Sequence, residues 1–321
     1  MSLTVTAAPP AGHLTRITAA VRGQARLFWL LFRRDMASRY AWLAWSLPFD
    51  ALNLVAGLAV WLFYARAFGT QAPFLQAYGG DITAYLILGV AVTPLLLDTT
   101  RQFYQQVKSL YTGSWSSSGV RLSMAEYLAM AKIPLWTYLA TQLFWSYVWQ
   151  ALSFVVYLAA GWVWFGFQPH TGARYDLAAL ALVLGVLSAA GMGLISASMV
   201  WLMNAWHDTE PVHWLIRVLT PLVAGSYFPP AILPEWLQVV SAWLPHTYTL
   251  DALRRSVLGA SAAPAGGAAG GTLASGAAGA LGPELAHDLL MQTVFGTALL
   301  ISGVLLFRHS LAVGRRRASL A

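Results

Sequence analysis

From Leu177 to His207 the chain carries no aspartate, glutamate, lysine or arginine. A run of that kind needs no water-facing side, and roughly 20 apolar residues suffice to cross about 30 Å of hydrocarbon as a helix. The feature recurs along the chain, so it fixes the class. Hydrophobic residues make up 58% of the sequence and charged residues 10%. A soluble surface needs roughly 25% charged residues, and most of this surface can be satisfied only by lipid. The sequence reads as an all-α integral membrane protein with one domain over 1–321.

Six spans are expected: 41–64, 82–104, 134–162, 177–206, 212–228 and 289–307. The second is predicted to continue as helix past Asp98 and Arg101. Residues 15–40 interleave Leu27, Leu30 and Leu31 with arginines, the pattern of an amphipathic helix in the membrane interface. Residues 229–258 are broken by prolines, too short for a span and too apolar for a solvated loop. They are expected to form an outer re-entrant helical hairpin between spans five and six, shielded by protein. Residues 259–283, nearly all Gly, Ala and Ser, read as a linker.

The net charge of +7 is concentrated at the span flanks. Arg16, Arg22, Arg26, Arg33, Arg34 and Arg39 precede the first span, Lys108, Arg121 and Lys132 fall between spans two and three, and Arg315, Arg316 and Arg317 close the chain. The opposite links hold Arg66, Arg174, Arg254 and Arg255. The positive-inside bias then puts both termini in the cytoplasm of a bacterial-type inner membrane. Such flanking charge suits anionic lipid, not nucleic acid. Nothing before the first span has the apolar core of a cleavable signal. There is no cysteine, so disulfides and thiolate metal sites are excluded.

Five candidate transport-path residues stand inside the spans: Asp50, Asn53, Asp98, Arg101 and Arg217. Ser46, Asp50, Asn53 and Gly57 recur at helical spacing and share one face. A carboxylate at that depth costs roughly 2.5–3.5 kcal/mol on insertion scales and faces protein or water. Asp50, with Asn53 on the same face, reads equally as part of a transport path and as a structural hydrogen bond to a neighbouring helix or to an arginine. Asp98 and Arg101 lie one turn apart and are expected to neutralise each other, with substrate contact as the lesser reading. Arg217 has as nearby partners only Asp208 and Glu210 of the preceding link. Gly185, Ala189, Gly193 and Ala197 form a small-residue stripe for close helix packing. His207 and His213 lack ligand-like companions, so no metal is expected.

The run AGSYFPPAILPEWLQVVSAWLPHTYTLDALRRSVLG resembles the signature of type-two ATP-binding-cassette exporter permeases. It carries Phe228 and Pro229, an LP-x-W element at Leu233, Pro234 and Trp236, then Pro245, Tyr248 and Arg254. RRDMASRY, residues 33–40, is similar to the interface helix of that family, including its polysaccharide-exporting branch. The resemblance implies a permease, a second copy or paralogue beside it, and two separate ATPase subunits. It implies outward movement of an amphiphilic or lipid-linked substrate, or of a polysaccharide of the O-antigen type on its carrier. It makes Phe228, Pro229, Pro234, Trp236, Pro245, Tyr248 and Arg254 an outer gate. It also places ATPase coupling between spans two and three, at Gly113, Ser114, Trp115 and Arg121. There the family's Gly-Thr-Leu-Glu element is replaced by Thr112, Gly113, Ser114, Trp115 and Ser116, without the acid. No Gly-x-x-x-x-Gly-Lys-Ser/Thr loop occurs. The chain is therefore expected to be no enzyme and to bind no cofactor, with ATP and Mg on the partner. A secondary transporter would show internal repeats and more spans, and no repeat is present.

Overall fold

The computed structural model describes residues 22–34, 36–37, 78, 81–111, 114–115, 121–169, 172–202, 211–258 and 282–318, with isolated helical positions between 49 and 63. Among the described residues four helices are long and apolar enough to cross a membrane. They belong to α2 (Ile82–Tyr111), α4 (Leu135–Phe165), α5 (Tyr175–Leu202) and α9 (Pro283–Ala318). The shorter helices are α1 (residues 22–34), α3 (Met124–Met130), α6 (Pro211–Val223), α7 (Glu235–Ala242) and α8 (Pro245–Val257). The predicted first span, 41–64, lies largely outside the described residues, as do Asp50, Asn53 and the linker 259–281.

α2 and α5 form the interior: 61% and 56% of their apolar windows are buried, against 17% for α4 and 22% for α9. α5 is apolar on every side because it meets protein on most sides. Its largest interface is with α9. There a Cβ on Gly191 would sit 2.7 Å from the Leu299–Leu300 backbone, and one on Gly303 2.6 Å from the Gly191 carbonyl oxygen. Small residues at both positions let the two backbones touch. Ala189 and Ala197 of the predicted stripe are fully buried, and Gly193 meets Phe103 of α2.

The two ends of the bundle differ. At one end α1 lays Phe28 and Phe32 edge-on against Phe144 of α4, with centroids 5.7 Å apart in both pairs. Leu31 joins Leu110, Leu128, Leu139 and Phe307 in a buried cluster at that end. Trp29 and Leu30 point outward, as an interfacial helix requires. α3 is fastened there too, by Leu128 and by a capping box. Ser123 Oγ accepts from the Glu126 N–H at 3.3 Å, and Glu126 Oε2 accepts from the Ser123 N–H at 2.6 Å. At the other end Arg255 ties α8 to α9 through Glu284 and Asp288 (3.5 Å), and bonds Asp251 at 3.4 Å. Tyr78, before α2, donates to Asp251. The Arg174 N–H, between α4 and α5, donates to the Ser256 carbonyl at 2.8 Å.

Two expectations need correcting. The fifth span does not run as helix to Phe228: α6 stops at Val223, 13 residues or about 20 Å long. The cause is local. Gly225 adopts φ +82, a left-handed conformation, and Pro229 and Pro230 follow. The second concerns the link after α2. The coupling positions Ser114, Trp115 and Arg121 are not on a helix: Ser114–Trp115 pairs antiparallel with Arg121–Leu122 as a two-stranded hairpin. The helix of that link is α3, further along.

Candidate functional site

α2 and α6 face each other across a cavity of 340 Å³. On α2 the lining residues Thr93, Leu97, Asp98 and Arg101 share one side of the helix; on α6 His213, Arg217 and Pro221 recur every fourth residue. Tyr157 of α4 and Tyr227 beyond α6 close the walls. Three residues read from sequence as polar intruders, Asp98, Arg101 and Arg217, are thus brought to one site. Gly57 lines it as well, the described member of the face that Asp50 and Asn53 share by spacing.

The expected Asp98–Arg101 neutralisation takes another form. The Arg101 guanidinium bonds the Gln105 amide oxygen, from Nε at 2.8 Å and Nη2 at 3.0 Å, with the amide turned oxygen-inward. Asp98 remains on the cavity wall between two arginines. Each of the two helices also has a proline at the cavity, Pro94 in α2 and Pro221 in α6. A proline supplies no N–H, so the carbonyls of Val90 and Arg217 lose their helical donor at the cavity. Two helices weakened at the same level can bend there without unfolding.

The bend that ends α6 is held by Arg254. This side chain is 1% exposed, and its Nη1 donates to the Gly225 carbonyl at 2.5 Å and its Nη2 to the Ser226 carbonyl at 2.9 Å. The guanidinium lies 3.5 Å over the Tyr85 ring, and the Tyr85 hydroxyl bonds the same Gly225 carbonyl at 2.8 Å. Thr93 Oγ1 donates to Ser226 Oγ at 2.8 Å, and Thr220 shares a 2.9 Å hydrogen bond with buried His246 Nδ1. α2 admits this strap only because position 89 is glycine. A Cβ there would lie 2.0 Å from the Ser226 carbonyl oxygen and 2.3 Å from Arg254 Nη2.

The seven residues of the family-like outer segment do not converge on one site. Phe228, Pro234 and Trp236 face outward, the last 68% exposed. Pro229, Pro245 and Arg254 are buried. Tyr248 is between, stacked on Phe295 at 5.8 Å and bonded to the Ala242 carbonyl at 2.9 Å. Of the coupling residues, Gly113 lies outside the described residues, and Ser114, Trp115 and Arg121 are strand positions. Sequence reasoning passed over the outer surface of α3, where Met124, Tyr127 and Met130 are exposed at three-residue spacing. Its signal was present: the Ser123–Glu126 capping box followed by apolar residues at helical spacing. Among the described residues no cluster of acids and histidines fit for a metal occurs.

A family model described as ABC-2 type transporter matches residues 109–258. No curated protein matches the chain. The matched stretch runs from the end of α2 through α8 and takes in the Arg254 strap and the α6 wall of the cavity. Permeases of this family generally work with ATP-binding subunits. The match covers just under half of the chain, and over residues 109–258 the sequence is similar to the membrane domain of ABC-2 type transporters.

Proposed function

We propose that this chain is a permease, the membrane subunit of an ABC transporter, and moves an amphiphilic or lipid-linked substrate outward by alternating access, driven by ATPase subunits that are separate chains and hold the ATP and Mg. The observation that carries this reading is the charged cavity between α2 and α6, two proline-containing helices in a membrane-crossing bundle. A second copy of the chain supplies the opposite wall. Trp214, Leu215 and Val218 of α6 are each about half exposed, and Arg217 beside them is exposed too. An arginine at span depth faces protein or a water-filled path in preference to lipid, and a partner permease provides both. α3 is the coupling element, offering Met124, Tyr127 and Met130 to the ATPase, with the neighbouring hairpin at Ser114, Trp115 and Arg121 beside it. Phe228, Pro234 and Trp236 anchor the hairpin of α7 and α8 in the outer leaflet, and the aromatic preference for interfaces supports that depth. A polysaccharide on a lipid carrier remains the alternative cargo of the same path.

The termini are cytoplasmic in this account, and side-chain pairing strengthens the charge asymmetry behind it. Of the outer arginines, Arg254 is spent on carbonyls, Arg255 on carboxylates, and Arg174 lies 3.2 Å from Asp176. The α1–α3 end carries Arg22, Arg26 and Lys132. Single cysteines test the orientation cleanly, because the chain has none. Ala129→Cys on α3 is expected to react with a membrane-impermeant thiol reagent only in opened cells, and Gly172→Cys between α4 and α5 in intact cells. The reverse labelling pattern contradicts export in this direction.

A further inference from the structure

We infer that the cavity between α2 and α6 seats the anionic group of an amphiphile, a phosphate- or carboxylate-type group held between Arg101 and Arg217. The inference rests on the transport reading above and names the chemistry of its cargo. Three observations carry it.

The first is charge. Among the described residues, the lining has two guanidiniums against one carboxylate, Asp98. An arginine stays charged whatever its surroundings, so among the described lining residues positive charge exceeds negative by one. Arg217 makes no hydrogen bond or ion pair with any described residue. Its planar fork of donors matches two oxygens of a phosphate or carboxylate.

The second is polarity along the cavity axis. α2 and α6 run in opposite directions here, since α2 begins at the Tyr78–Asp251 end and α6 ends near that same end at the Gly225 bend. Asp98, Arg101, His213 and Arg217 therefore gather toward the α1–α3 end. Val90, Pro94, Pro221 and Tyr227 line the opposite half, where the one lining hydroxyl of α2, Thr93, is already bonded to Ser226. Charge at one end and apolar or aromatic surface at the other is the profile of a headgroup followed by a chain. A soluble anion would need only the first half, and a neutral hydrophobic cargo only the second.

The third is depth and size. Arg101 stands about 28 Å along α2 from Ile82 at 1.5 Å per residue, close to the basic end of the bundle. From there α2 continues for about 15 Å to Tyr111 at 1.5 Å per residue, so an amphiphile entering from the basic side reaches the arginines before the apolar half of the cavity. The volume of 340 Å³ falls within the roughly 300–1,000 Å³ of small-molecule sites.

The test uses the full chain in phosphatidylcholine nanodiscs, without ATP or ATPase, with radiolabelled dodecyl phosphate as probe. Saturable binding is expected, displaced by laurate but not by dodecyltrimethylammonium or inorganic phosphate. Arg101→Gln and Arg217→Gln are each expected to weaken binding by about tenfold or more, as loss of a charge-assisted pair does. Arg101→Lys and Arg217→Lys, which keep the charge, restore most of it and exclude simple misfolding. Asp98→Asn tightens binding, and Arg308→Gln, a cation outside the cavity, leaves it unchanged. Equal displacement by the ammonium compound, or unchanged binding in the glutamine variants, overturns the inference. Displacement by inorganic phosphate as strong as by laurate overturns its amphiphile half. Since no ATPase is present, loss of anion binding leaves the transport reading intact. Anion binding by a chain that never couples to an ATPase removes that reading and keeps the site.

Discussion

Gly89→Val is expected to leave almost no folded protein. The added Cβ alone would overlap the Ser226 carbonyl oxygen, at 2.0 Å, and the Arg254 guanidinium, at 2.3 Å. Neither can step aside. The carbonyl belongs to the bend that ends α6, and Arg254 is 1% exposed with Tyr85 stacked on its face. Relief requires α2 to separate from that bend, which breaks both Arg254 carbonyl bonds and the Tyr85–Gly225 bond. Orphaned buried polar groups cost about 1–3 kcal/mol each. The sum reaches the exceptional end of single-substitution effects, about 4–5 kcal/mol or more, against a typical stability of about 5–15 kcal/mol. Size-exclusion profile and thermal unfolding in detergent check this. A monodisperse valine variant melting like the parent would show that the strap is not close-packed. Arg254→Lys is expected to lose most of the same stability, because one ammonium cannot reproduce a planar fork on two carbonyls.

The second large effect is on coupling. Tyr127→Asp combined with Met130→Asp places two carboxylates on the exposed side of α3, where Tyr127 is 44% and Met130 63% exposed. The helix itself is preserved, since Leu128 stays buried and the Ser123–Glu126 capping box is untouched. Desolvating two unpaired charges at an interface costs several kcal/mol. Association with the ATPase subunit is expected to fall by about a hundredfold or more, at roughly 1.4 kcal/mol per tenfold, with expression and unfolding temperature unchanged. Co-purification of the ATPase with the tagged permease is the readout. A complex that survives intact moves the contact to the hairpin of Ser114–Trp115 and Arg121–Leu122.

How far the sequence could be read depended on whether the determinants were local. The long spans were legible because lipid imposes a composition on each stretch by itself: 134–162 became Leu135–Phe165, and α2 ran past Asp98 and Arg101 as expected. α9 extends beyond 289–307 in both directions, because its polar ends leave the hydropathy pattern while keeping helical propensity. α8 falls in the segment expected to be a protein-shielded hairpin, but what its polar residues meet was not legible: His246, Thr249, Arg254 and Ser256 of HTYTLDALRRS are buried. Their partners are remote in sequence: Thr249 accepts from Gln292 at 2.9 Å, and Arg254 reaches back to Gly225. No local pattern announces such pairs. The cavity was half visible. Asp98, Arg101 and Arg217 stood out as charges in spans, but their meeting depends on α6 lying antiparallel to α2 and ending at Val223 before the Gly225 bend.

The most direct test of the whole account is ATP hydrolysis by the purified chain in lipid, alone and as the complex drawn from its native membrane. Alone, hydrolysis at background level is expected, since no phosphate-binding loop occurs in the sequence. The complex is expected to contain a second chain bearing that loop and to hydrolyse ATP, with the activity retained by the wild-type permease and lost with Tyr127→Asp and Met130→Asp. Substantial hydrolysis by the pure chain alone would contradict the account.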